Sequence, residues 1–170
     1  GLSLFSWGKY VLYPFRIFTT WVHECSHALS ALLMGGTVSR ITLAADTSGL
    51  THYKLPPGRF RHGFVASSGY LGSSLAGCTL YYLALSSYPH SPVLIISLGA
   101  LMILSLLCWV RGFFGALSIA VLGSTMIVLG WKGQPRFSGL LLEFLAIQTS
   151  LNALFDIRVL FSLRPRDRSD

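Results

Sequence analysis

Carboxylates are the scarcest functional group in this chain. Six acidic side chains stand against thirteen lysines and arginines among 170 residues. Charged residues of both signs make up 11% of the sequence, where a soluble domain carries roughly 25%. That shortage excludes an ordinary water-soluble globule. Cysteine is scarce too. Cys25, Cys78 and Cys108 all fall in apolar stretches, and their spacing forms neither a Cys-x-x-Cys metal site nor a disulfide framework. They read as small buried hydrophobes. There is no basic leader followed by a short apolar core and a small-residue cleavage site. The chain starts at Gly1 rather than Met, so a fragment or a processed product is expected. Internal repeats and low-complexity tracts are missing as well.

What is abundant is apolar surface. Hydrophobic residues make up 52% of the chain and the mean hydropathy is +0.61, which is the composition of an integral membrane protein with the bilayer as a partner. The net charge is +7. The basic residues flank apolar segments instead of sharing one polar face. That arrangement argues against nucleic acid and for loops beside membrane helices.

A spanning helix needs about 20 mainly apolar residues. Segments 10–34, 60–85, 93–110, 113–131 and 138–162 meet that need. The expected fold is therefore an all-α polytopic membrane bundle of about five transmembrane helices, forming one domain over residues 1–170. Pro14 and Arg16 make the first turn of the first helix uncertain, and Gly35-Gly36 supplies its stop. Residues 37–53 break the pattern. Val38, Ile41 and Leu43 favour a strand, and Asp46-Thr47-Ser48-Gly49 signals a turn, so a short β-hairpin is expected there. In the second helix Gly69, Ser73 and Gly77 recur every four residues as one small-residue face for close helix packing. Residues 164–170 read as a charged tail. The basic side chains Arg40, Lys54, Arg59, Arg61 and Arg111 collect on one side of the alternating loops, with Arg164, Arg166 and Arg168. The positive-inside rule then places the hairpin and the C-terminus in the cytoplasm.

Three of the six carboxylates (Glu24, Glu143 and Asp156) lie inside apolar segments. A charge at the bilayer centre costs about 2.5–3.5 kcal/mol on insertion scales, so such residues call for a partner or a function. Glu24 belongs to His23-Glu24-Cys25-Ser26-His27, an H-E-x-x-H motif. On a helix the two histidines share one face and can grip one zinc ion, while the glutamate acts as general base toward water. A catalytic zinc takes three protein ligands. Beyond His23 and His27 the candidates are Glu143, Asp156, Asp46, His52, His62 and His90. Depth selects among them. His27 lies about 17 residues into the first helix and Asp156 about 18 into the fifth, which at about 1.5 Å per residue gives similar depths in helices of the same direction. Glu143 and His90 fall toward the opposite side, and His52 and His62 near the surface. Asp156 is therefore the expected third ligand, although a structural ion pair with Arg158 or Arg16 competes with that role. Asn152, one turn before Asp156, is placed to bond the ligand carboxylate or a substrate backbone.

The residues together resemble the site-2 protease-like family of intramembrane zinc metallopeptidases, in its short peptidase-like branch. The resemblance rests on Tyr13-Pro14-Phe15, the run from His23 to Leu29, and Gly35-Gly36. It continues through Asp46, Gly49 and Ser68-Gly69-Tyr70-Leu71-Gly72-Ser73 to Asn152 and Asp156. Many members carry Leu-Asp-Gly around the last aspartate, where this chain has Phe155-Asp156-Ile157. The resemblance implies zinc held by His23, His27 and Asp156 and water activated by Glu24, while the small residues Gly69 and Gly72 are expected to serve helix packing first and to support the site or its substrate on top of that. It also implies substrates that are transmembrane segments of other proteins, held as an extended strand by the hairpin. Two other readings stay open on the residues alone. One is an inactive membrane scaffold or chaperone that kept the metal motif, and the other is a metal or proton transporter.

Overall fold

The structure is a computed structural model that describes residues 6–162, with side chains from 10 to 158. Five helices follow one another: α1 (Ser6–Leu33), α2 (Arg59–Ser86), α3 (Ser91–Cys108), α4 (Phe113–Lys132) and α5 (Pro135–Ser162). Between α1 and α2 lie strands β1 (Thr37–Leu43) and β2 (Gly49–Lys54), and one turn of 3-10 helix at Tyr88–His90 leads into α3. The expected hairpin and helix order are present. Pro14 lies inside α1, which already runs from Ser6. The charged tail 164–170 lies outside the described residues.

Three helical stretches, Tyr88–Cys108, Phe113–Lys132 and Pro135–Arg158, are long and apolar enough to cross a membrane. The expectation of about five such spans is therefore met in part. At 28 residues each, α1 and α2 have the length. Their composition is more polar, because α1 carries Arg16, His23, Glu24 and His27 and α2 carries its glycine and serine face.

Small residues set the packing. Along α3 the buried positions are Ser91, Ile95, Gly99, Met102 and Ser105, and along α4 they are Gly115, Ile119, Gly123, Met126 and Gly130. These run as matching stripes down two antiparallel helices. A Cβ on Gly99 would stand 2.6 Å from the Gly123 carbonyl oxygen, so the two backbones touch. Gly69, Ser73 and Gly77 are all buried, as the four-residue spacing predicts. Gly69 faces α1, while Gly77 faces Ser150 and Ala146 of α5. The small face of α2 thus receives two helices. Trp21 of α1 donates its indole N–H to Ser105 of α3 at 2.8 Å, which ties the first helix to the third.

The hairpin folds back along α1. Gly35 takes φ 78° to end the helix and turn the chain. Tyr13 then donates to the Ala45 carbonyl at 2.8 Å and Thr20 to the Thr47 carbonyl at 2.7 Å, so the turn sits against the first half of α1. β1 and β2 pair antiparallel, with an irregularity between Val38 and Arg40. The outer edge of β1 is covered. Ile41 donates to the Trp109 carbonyl and accepts from the Arg111 amide, each at 2.8 Å, in the α3–α4 connection. Among the described residues, β2 has β1 as its one strand neighbour.

Replacing Gly99 with Leu should drive a side chain into the α4 backbone, and overpacking of this kind costs about 1–3 kcal/mol. Its thermal midpoint in detergent should fall well below that of Gly63→Ala, a glycine with open space around it. Equal midpoints for the two variants would refute this account of the α3–α4 contact.

Candidate metal and catalytic site

α1 runs unbroken through the motif, so His23 and His27 lie one turn apart on one face. Their Nε2 atoms are 3.1 Å apart. Two imidazole nitrogens sharing one tetrahedral zinc stand about 3.3 Å apart, given zinc–nitrogen bonds near 2.0–2.1 Å. His27 Nδ1 lies 2.8 Å from the Val65 carbonyl oxygen. A carbonyl only accepts, so Nδ1 holds the proton and Nε2 keeps its lone pair for a metal. The His23 ring meets Tyr70 edge-on at 5.3 Å.

Gly69 makes this geometry possible. A Cβ on Gly69 would lie 2.5 Å from His27 Nε2 and would also run into His23 Nε2. Gly72, one turn on, meets the Ser26 side chain with equal closeness. Both glycines thus support the site through helix approach.

Glu24 is buried, at 6% exposure. A carboxylate in such surroundings needs a hydrogen-bond donor, and β2 supplies it. Thr51 Oγ is 2.6 Å from Glu24 Oε2 and 3.0 Å from the Glu24 carbonyl oxygen. With one proton it donates to one of them at a time, and the shorter contact is to the carboxylate. Gly49 closes on the same side chain, since a Cβ there would stand 2.6 Å from Glu24 Cγ and 2.8 Å from Oε1. His23, Glu24, His27 and residues 49–54 of β2 together line a cavity of about 640 Å³.

Asp156, which the depth argument selects, lies near one of the two histidines. Its Oδ2 lies 3.7 Å from His23, and Asn152 donates to that same oxygen at 3.2 Å. It turns inward to these two residues. The contact is with Nδ1 of His23, however, not with the Nε2 pair. That Nδ1 is buried and without a hydrogen-bond partner. Among the described residues no three His, Cys, Asp or Glu side chains surround one point as a metal site. Two of the three expected ligands converge, and the third stands at the far nitrogen of one of them. The two imidazole nitrogens are donors of the kind zinc takes, with the Asp156 carboxylate near His23.

The other candidates are dispersed. Asp46 sits in the exposed hairpin turn and accepts from the Ser48 hydroxyl at 2.6 Å and the Ser48 amide at 2.9 Å, bonds that hold its carboxyl below the usual range. His62 and His90 are exposed at the ends of their elements, and Glu143 lies between three and four turns before Asp156 on α5. His52 alone among them lines the cavity. Thr51 and Tyr70 escape a reading of the sequence for chemistry. Thr51 looks like an ordinary β-branched strand residue. The available signal is parity: Thr51 is the one buried position of β2.

Fold and site together define a helical protein with membrane-length segments and an H-E-x-x-H motif on α1. The sequence pattern of the Peptidase M50B-like family matches residues 2–170, and the chain belongs to that family. This agrees with the family resemblance carried by the motifs. No curated protein and no solved structure matches the chain.

Gly69→Ala tests the cradle directly. The added methyl should push both imidazoles apart, and the purified variant should hold far less zinc than the parent while Gly63→Ala holds as much. Parental zinc content in Gly69→Ala, measured by elemental analysis, would remove Gly69 from the site.

Proposed function

We propose that the chain is a zinc-dependent intramembrane endopeptidase that hydrolyses peptide bonds in or near transmembrane segments of other membrane proteins. The observation that carries this reading is the pair of Nε2 atoms 3.1 Å apart beside the buried Glu24 carboxylate, in a cavity walled by β2. Family membership supports it. His23 and His27 would hold the zinc, with Asp156 as third ligand once its carboxylate turns from the Nδ1 side of His23 toward Nε2. Asn152 stays in reach of Asp156 through its existing bond. When bound, zinc supplies Lewis acidity that lowers the pKa of water and polarises a carbonyl.

The chain's own residues supply the rest. Glu24 takes the proton of the attacking water as it adds to the scissile carbonyl, then passes it to the departing amine. His27 is held in its working tautomer by the Val65 carbonyl. The free edge of β2 accepts an extended backbone by strand addition, which suits a substrate helix that has locally unwound. Peptide bonds inside a helix are shielded by their own hydrogen bonds, so unwinding precedes cleavage. Placing the hairpin and C-terminus on the cytoplasmic side, as the distribution of basic residues suggests, would let water reach the cavity from there.

The test uses purified protein in liposomes with a single-span substrate. The parent should cleave it, a zinc chelator should stop cleavage, and added zinc should restore it. Glu24→Gln should keep its zinc and lose about 10²–10⁴ in rate, the span of general-base catalysis. Asp156→Ala should lose both zinc and activity. Undiminished cleavage by Glu24→Gln would end the general-base assignment. Substrate retention without cleavage by the parent would favour a scaffold, and metal flux insensitive to Glu24→Gln would favour a transporter. Zinc retained in full by Asp156→Ala would remove that residue from the ligand set.

A further inference from the structure

We propose that Thr51 is a positioning residue for Glu24: its hydroxyl occupies Oε2 and leaves Oε1 as the oxygen that meets the reacting water. The inference rests on the reading of Glu24 as general base, and it goes beyond that reading by assigning the two carboxylate oxygens different tasks.

Three observations carry it. The first is the bond itself. Thr51 Oγ stands 2.6 Å from Oε2, and both side chains are buried, at 8% and 6% exposure. A hydroxyl donating to a charged acceptor away from water is among the stronger neutral-donor bonds. The second is the contact at the other oxygen. Gly49, two residues earlier and on the same side of β2, leaves only a hydrogen where a Cβ would be 2.8 Å from Oε1. One residue thus holds the carboxylate by a bond and the other limits it by contact, so its plane is set from both ends. Third, the strand that does this is itself secured. β1 is pinned to the α3–α4 connection through Ile41, and the turn is latched to α1 through Thr20 and Tyr13.

β2 consequently has two tasks. Its Thr51 and Gly49 face α1 and orient the base, while its residues from Gly49 to Lys54 line the cavity where an extended segment would lie. A segment added to that edge would stiffen the strand that aims Glu24. The recognised chemistry is extended peptide backbone, and its binding and the alignment of the base run through the same residues.

The experiment compares Thr51→Val, which keeps the shape and removes the hydroxyl, with Thr51→Ser, which keeps the hydroxyl. Thr42→Val serves as control, because Thr42 donates to the Leu50 carbonyl within the same hairpin, away from Glu24. On the reconstituted single-span substrate, Thr51→Val should lower kcat about tenfold or more, the loss expected for a hydrogen bond to a charged group. KM and bound zinc should stay at the parental values, and Thr51→Ser should restore most of kcat. A second readout needs no turnover. In a double-mutant cycle on the thermal midpoint, the shifts of Thr51→Val and Glu24→Gln should sum to more than the shift of the double variant. Additive midpoints, or a Thr51→Val kcat equal to that of Thr42→Val, would overturn the proposal. So would a Thr51→Ser variant as slow as Thr51→Val, since the methyl would then be the part that matters. Full cleavage by Glu24→Gln would instead fail the base assignment, and the Thr51 proposal would fall with it.

Discussion

The close approach of α2 to α1 at Gly69 is the contact on which the rest of the site depends. Both Nε2 atoms press on a backbone that carries no side chain. The same helix face, one and two turns on, offers Ser73 and Gly77, and Gly77 seats α5 against Ser150. A single stripe of small residues therefore brings together side chains more than 130 positions apart in sequence, His23 and Asp156. Membrane interiors give no hydrophobic force to pull helices together, so close van der Waals packing of this kind has to do it.

The second constraint is the cost of polar groups in an apolar bundle. Three of those around the site are met by a local partner. The Val65 carbonyl on α2 takes the His27 proton, the Thr51 hydroxyl on β2 takes Glu24, and Asn152 on α5 takes Asp156. Hydrogen bonds from α2, β2 and α5 thus hold the polar side chains of the site. His23 Nδ1 is left out, buried and unpartnered with a carboxylate 3.7 Å away, and the buried Ser73 and Ser138 hydroxyls also lack a partner. That nitrogen marks the place where a small movement of Asp156 would change the balance most.

Much of this was legible in the residues. The H-E-x-x-H spacing pointed to paired imidazoles, the small face of α2 to a close helix contact, and equal depth to the nearness of Asp156 to His23. Helix ends fell within a few residues of the expected ones because Gly35, Pro57 and Gly112 punctuate the chain. What the sequence hid were properties of assembly. Five apolar segments suggested five spans, yet α1 and α2 are diluted by polar residues, so among the described residues three helices meet the membrane criterion. Which nitrogen of His23 Asp156 faces depends on rotamers that no spacing rule contains. Thr51 stayed hidden because a strand threonine is common, and only the hairpin folding back along α1 brings it to Glu24.

The pairing of Ile41 with the connection between α3 and α4 has a practical side. Short turns joining two helices at a surface are where epitope tags and inserted domains are usually tolerated. Residues 109–112 are a poor choice for such grafts, because their backbone is a third rail of the hairpin. A graft there would travel through β1 to β2 and reach Glu24 without touching it. For anyone labelling this protein, the innocuous-looking turn is mechanically wired to the centre of the molecule.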